Sequence, residues 1–140
     1  MFFMNNGIIT PSVGIGNIKL GMSLDEIEKI MPKSTIKHLE YSYIFHGGDI
    51  AIWISKACNF VTQIMVFGTF KGTLFEEFGI GSYLSDIDQK VNDIAEYSDY
   101  VYTFRKLKGI CFEIEDVEKE WDDIGWHKSN ATIEFISVFN

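Results

Sequence analysis

The chain is short of cysteine, of basic residues and of long apolar runs, and each shortage removes a class of protein. Cys58 and Cys111 are its two cysteines, too few to staple a secreted mini-domain. No CxxC or His-x-x-x-His spacing proposes a metal site, and no cofactor is called for. Twelve Lys and Arg face twenty Asp and Glu, a net charge of −8, which a nucleic-acid backbone or an anionic lipid surface would repel. Neither is expected as a partner. No stretch approaches the roughly 20 apolar residues of a membrane span. The start, Met1-Phe2-Phe3-Met4-Asn5-Asn6, has neither the basic region nor the long apolar run of a secretory signal. The expectation is a reduced, cytoplasmic protein.

What the chain does have is a globular balance: 46% apolar and 23% charged residues, enough of the first to build a core and too little bias to suggest disorder or a coiled coil. Its 140 residues make one domain, 1–140. Compared with itself at an offset of about sixty, the sequence repeats. Gly21, Leu24, Ile27 and Met31 correspond to Gly81, Leu84, Ile87 and Val91, the i, i+3, i+7 spacing of a helix face behind a glycine. Ser23-Leu24-Asp25-Glu26 is a capping-box pattern that starts the first helix, whereas Tyr83 stands where the second copy needs its cap. Tyr41-Ser42-Tyr43-Ile44-Phe45 then corresponds to Tyr100-Val101-Tyr102-Thr103-Phe104, and Ile50, Ile52 and Ile54 to Ile110, Phe112 and Ile114, the alternation of strands with one buried face. Each copy closes on Ile-x-Val-Phe, at 64–67 and 136–139.

The spacing therefore predicts an α+β fold: a tandem α-β-β-β repeat, about 17–67 and about 78–139, giving an antiparallel sheet of about six strands with helices packed on one face. Alternation sends Trp53, Cys111, Glu113, Glu115 and Phe67 to the other face, where Trp53, Met65 and Phe67 would form an aromatic patch. The N-terminal segment or the 68–80 linker is expected to cover it.

The copies differ in charge and in one connection. Residues 1–70 hold five bases and five acids, so the whole imbalance lies in 71–140, with seven bases and fifteen acids. Between the second and third strands the second copy spends about a dozen extra residues, roughly 115–131. Glu115, Asp116, Glu118, Glu120, Asp122 and Asp123 there surround Trp121, with Trp126 close behind. A loop long for its position is often functional. Tryptophan supplies interface anchors, and carboxylates around it would steer a basic partner. These eight residues, with Trp53, are the candidate partner-binding set.

No catalytic constellation accompanies them. His38, His46 and His127 lie far apart and near no recognised nucleophile setting. Gly14-Ile15-Gly16 and Gly79-Ile80-Gly81 lack the Gly-Lys-Ser/Thr of a phosphate loop, and their expected task is to supply unusual backbone angles before each helix. Glu113 and Glu115 could sit together on one strand, but no acid-tuning pocket surrounds them.

At Gly21-Met22-Ser23-Leu24-Asp25-Glu26-Ile27 and at Phe78 to Ile87, the chain resembles the tandem helix-plus-strands units of β-lactamase inhibitory proteins and of small outer-membrane assembly lipoproteins. It departs from the latter in having neither their export signal nor an acylated cysteine near the start. With its size, its acidity and the Gly-Ile-Cys-Phe-Glu-Ile-Glu run at 109–115, it is similar in type to the small bacterial immunity proteins of contact-dependent inhibition and other polymorphic toxin systems. That resemblance implies a non-enzymatic cytoplasmic protein binding the catalytic domain of one cognate toxin. A basic, nuclease-like domain is the expected target, because the acidic loop could enter its cleft in place of phosphate. The alternative is a sensor holding a small apolar molecule between helices and sheet, lined from the twelve Phe and six Tyr. Nothing in the sequence speaks to oligomeric state.

Overall fold

The computed structural model describes residues 7–32, 34–98, 100–114 and 131–140. Three two-residue strands, β1 (Ile9–Thr10), β2 (Gly14–Ile15) and β3 (Ile18–Lys19), form a small antiparallel sheet. Then come α1 (Leu24–Ile30), β4 (Thr35–His38), β5 (Ser42–Gly47), β6 (Ile50–Ser55) and β7 (Val61–Phe67). The second half repeats that order with α2 (Leu84–Val91), β8 (Ile94–Ser98), β9 (Val101–Phe104), β10 (Ile110–Ile114) and β11 (Ile133–Phe139). All eight later strands join one antiparallel sheet in the order β4-β5-β6-β7-β11-β10-β9-β8. The two halves thus meet at the central pair β7 and β11, with Val66 opposite Ile136.

The expected α+β sheet of six strands covered by helices is corrected in three respects. The protein is mostly β. Each half contributes four strands after its helix, and the first of each, Thr-Ile-Lys-His and Ile-Ala-Glu-Tyr-Ser, forms an outer edge. Edge strands face water widely, so all four residues of β4 are exposed and β8 buries only Ile94 fully. The two-residue apolar period that betrays a strand is therefore missing from both. The helices are also too small to cover the sheet. They run for seven and eight residues, burying Ile27 from α1 and Leu84 and Ile87 from α2.

The rest of the cover comes from elsewhere. Ile9, Ile15 and Ile18 of the small sheet and Phe70, Leu74 and Phe78 of the linker join the core with Phe45, Ile52, Ile64, Phe112 and Val138. The two segments expected over the Trp53 side thus send their buried side chains into the core instead. Ser12 ties the small sheet to the main one, its N–H donating to Gly109 O at 3.2 Å and its hydroxyl to Lys108 O at 3.0 Å.

The matched glycines have a shared task. In each half the segment before the helix pairs briefly with the strand that will close that half. Gly21 N donates to Val61 O at 2.9 Å and Val61 N to Met22 O at 2.8 Å; Gly81 N donates to Ile133 O at 2.8 Å and Ile133 N to Ser82 O at 2.9 Å. Leaving that pairing for a helix requires a turn at φ +85° for Gly21 and +90° for Gly81, values glycine adopts without steric cost. Beyond the turn the halves diverge. Ser23 and Glu26 complete the capping box of α1, whereas Tyr83 makes no side-chain cap bond to α2.

Candidate functional site

Strand register assigns the two faces of the large sheet. Residues opposite one another across paired strands project to the same side. One continuous row runs Ile50, Val66, Ile136, Phe112, Tyr102, all at most 1% exposed; this is the core face. The neighbouring rows on the other side read Ile44, Trp53, Gln63, Phe139, then Ala51, Met65, Ser137, Cys111, Thr103, then Phe67, Phe135, Glu113, Val101.

That second face is apolar without being sealed. Trp53, Met65, Phe67, Phe135 and Phe139 are each half-buried, and the rings of Phe67 and Phe135 lie 5.7 Å apart at 46°, a favourable tilted contact. At its middle Gln63 Nε2 donates to Ser137 Oγ at 3.3 Å, and Ser137 also hydrogen-bonds Cys111. Burial, helped by the nearby charge of Glu113, pushes the Cys111 thiol up to about 11 against the partial opposition of Ser137. A thiol so protonated at neutral pH is a poor nucleophile. At the polar centre of this face the Gln63–Ser137 hydrogen bond fixes the side chains while Cys111 stays protonated.

Of the residues expected to bind a partner, Trp53 lies on this face, on β6 between Ile44 and Gln63. Glu115, Asp116, Glu118, Glu120, Trp121, Asp122, Asp123 and Trp126 lie outside the described residues. The structure adds Phe135 and Phe139 to the patch. The repeat match aligned Phe139 with Phe67, but antiparallel pairing at the seam sets Phe135 against Phe67 and Phe139 against Gln63.

Two other features bear on chemistry. A cleft of about 620 Å³ lies beside α2, lined by Glu77, Phe78, Gly81, Ser82, Tyr83, Asp86, Gln89 and Lys90; the Lys90 ammonium is 3.3 Å from Glu77. In the β5–β6 turn, Asp49 accepts hydrogen bonds from the hydroxyl of Thr69 and, at 2.8 Å, from its backbone N–H. The hydroxyl and then the backbone bond hold the Asp49 carboxyl below its ordinary range. This clasp fastens the turn to the start of the linker. Among the described residues no group of three His, Cys, Asp or Glu could hold a metal ion, and no helix is long and apolar enough to cross a membrane.

The fold is thus an antiparallel sheet doubled about a central strand pair, with one face closed over a core and the other carrying half-exposed aromatics. No protein-family profile and no curated protein sequence matches the chain. The crystal structure of the uncharacterized protein yfeY from Escherichia coli is similar to it over 94% of this chain and 99% of that chain, with a TM-score of 0.63 and 11% sequence identity. At that identity the likeness is one of fold.

Proposed function

We propose that this chain is a non-enzymatic immunity protein of the bacterial cytoplasm. In this reading it binds the catalytic domain of a cognate toxin, a nuclease by preference, and blocks the active site or the approach of substrate. The observation that carries the reading is the aromatic sheet face around Trp53, a rigid apolar surface of the kind that marks protein contact sites. Large aromatic anchors rimmed by polar groups are the usual centre of such an interface. The net charge of −8, all of it from the second half, suits a partner whose cleft is basic because it handles phosphates. The run at 115–123 stays in the proposal on its composition alone.

A second reading, capture of a small molecule, has the cleft beside α2 in its favour, since its 620 Å³ falls in the usual range for ligand sites. Its lining sets Glu77, Asp86, Gln89 and Lys90 around the one open aromatic, Tyr83, while Phe78 is only 4% exposed, so a ligand there would need polar contacts as well as apolar ones.

Coexpression with the product of the adjoining reading frame tests the main reading. Copurification and rescue of growth are expected, with both weakened by Trp53→Ala. Recovery of the protein alone, without rescue, would remove the proposal.

A further inference from the structure

The aromatic face carries one acid whose setting differs from the other surface carboxylates. Glu113 lies on β10 directly opposite Phe135, which in turn lies opposite Phe67. Opposed side chains of this kind have Cβ atoms about 4.5–5.5 Å apart. Its side chain therefore leaves the sheet next to Phe135, the nearer ring of the Phe67–Phe135 pair, whose centroids are 5.7 Å apart. It is half-buried and close enough to Cys111 for its charge to act on the thiol. Among the described residues Glu113 has no ion-pair partner; the ion pair found there joins Lys90 to Glu77. Lys37, a positively charged side chain in the row that runs through Ile44 and Trp53, stands on the outer strand β4, the fourth strand beyond the seam from β10.

A lone carboxylate beside two tilted rings is the arrangement a guanidinium fits. The flat, weakly hydrated cation stacks on an aromatic face while its fork of N–H donors meets the carboxylate. An ammonium, more strongly hydrated and a point donor, gains less there. We infer that Glu113, Phe135 and Phe67 form a receptor for an arginine side chain presented by a basic protein partner. This deepens the immunity reading and rests on it for the partner's identity, but the receptor can be examined without that partner.

The probe is the peptide acetyl-Gly-Arg-Gly-amide, titrated into isotopically labelled full-length protein and followed by NMR, with the lysine analogue as control. Saturable shifts at Glu113, Phe135 and Phe67 are expected. Glu113→Gln should abolish them, and the lysine peptide should bind about threefold or more weakly, because an ammonium lacks the flat stacking face and the fork of donors. Shifts confined to 115–123, or equal shifts in Glu113→Gln, would overturn the inference. Should the adjoining frame's product bind wild type and Glu113→Gln with the same affinity, the arginine receptor fails and the immunity reading stands. Should that product not bind at all while the peptide shifts appear, the immunity reading fails and the receptor stands.

Discussion

Phe112 and Phe135 are one residue type on adjacent strands of one sheet, and truncating each to alanine measures which face is closed. Phe112 is fully buried, with its ring edge-on to Phe104 at a centroid distance of 5.4 Å. Removing such a ring costs about 3–5 kcal/mol through lost transfer energy and the cavity left behind. Phe135 is half-buried on the opposite face. It forfeits roughly half of the 1.5–3 kcal/mol that full burial brings a side chain of its size, plus about 0.5–1.5 kcal/mol for its ring contact with Phe67. The expected loss is about 1–3 kcal/mol. At roughly 4 °C per kcal/mol for a chain of this size, Phe112→Ala should lower Tm by about 12–20 °C and Phe135→Ala by about 5–12 °C. Urea unfolding followed by circular dichroism should give the same order with an unchanged slope. If Phe135→Ala were as damaging as Phe112→Ala, the aromatic face would be a second sealed interior, and a partner could not use it without displacing what seals it.

Other expectations follow from single groups. Ser23→Ala should destabilise by about 1 kcal/mol through loss of the α1 cap, and Tyr83→Ser should recover up to about that much at α2; thermal melts of the two variants check the sign of each. Cys58 is exposed and should react with iodoacetamide at pH 8 well before Cys111, whose thiol is raised to about 11; mass mapping of the alkylated sites reads the order. Because that thiol titrates above its ordinary value when folded, its contribution to stability is complete below pH 9 and should fade as pH rises towards 11. Asp49 has the opposite sign. Its lowered carboxyl adds stability above its ordinary range that should disappear as pH falls through the folded value. An NMR titration should show this directly, and Asp49→Asn should flatten the acid limb of the stability curve.

Periodicity revealed the interior strands because they have two distinct sides. Ile50, Ile52 and Ile54 alternate with Ala51 and Trp53, and the register keeps these sets on opposite faces. It overreached at the ends, where alternation continued into turns. Tyr41 is 74% exposed beyond β4, and Tyr100 turns the chain between β8 and β9 at φ 63°. Strands β4 and β8 stayed hidden because an outer strand can take polar side chains on either side. The number of strands therefore depended on segments with no apolar pattern to read. The small N-terminal sheet escaped for a different reason, since two-residue strands are too short to show any period. At the candidate face, Trp53 and Phe67 were legible from alternation within one strand. Phe139 occupies the same closing position as Phe67, but placing Phe135 beside Phe67 needed the pairing of strands about seventy residues apart in the chain, which no local pattern encodes.

That central pairing also orders assembly in time. Each four-strand run closes through short connections, apart from the long excursion before β11, so its contacts are local and form quickly. The junction at β7 and β11 must wait for distant segments to meet, a slow search for any chain. Until β11 docks, β7 presents an unsatisfied border rich in valine and isoleucine and β10 one carrying Ile110, Phe112 and Ile114. The interval before docking is thus when the nascent molecule is most prone to self-association, and crowding or overexpression would weigh on that step first.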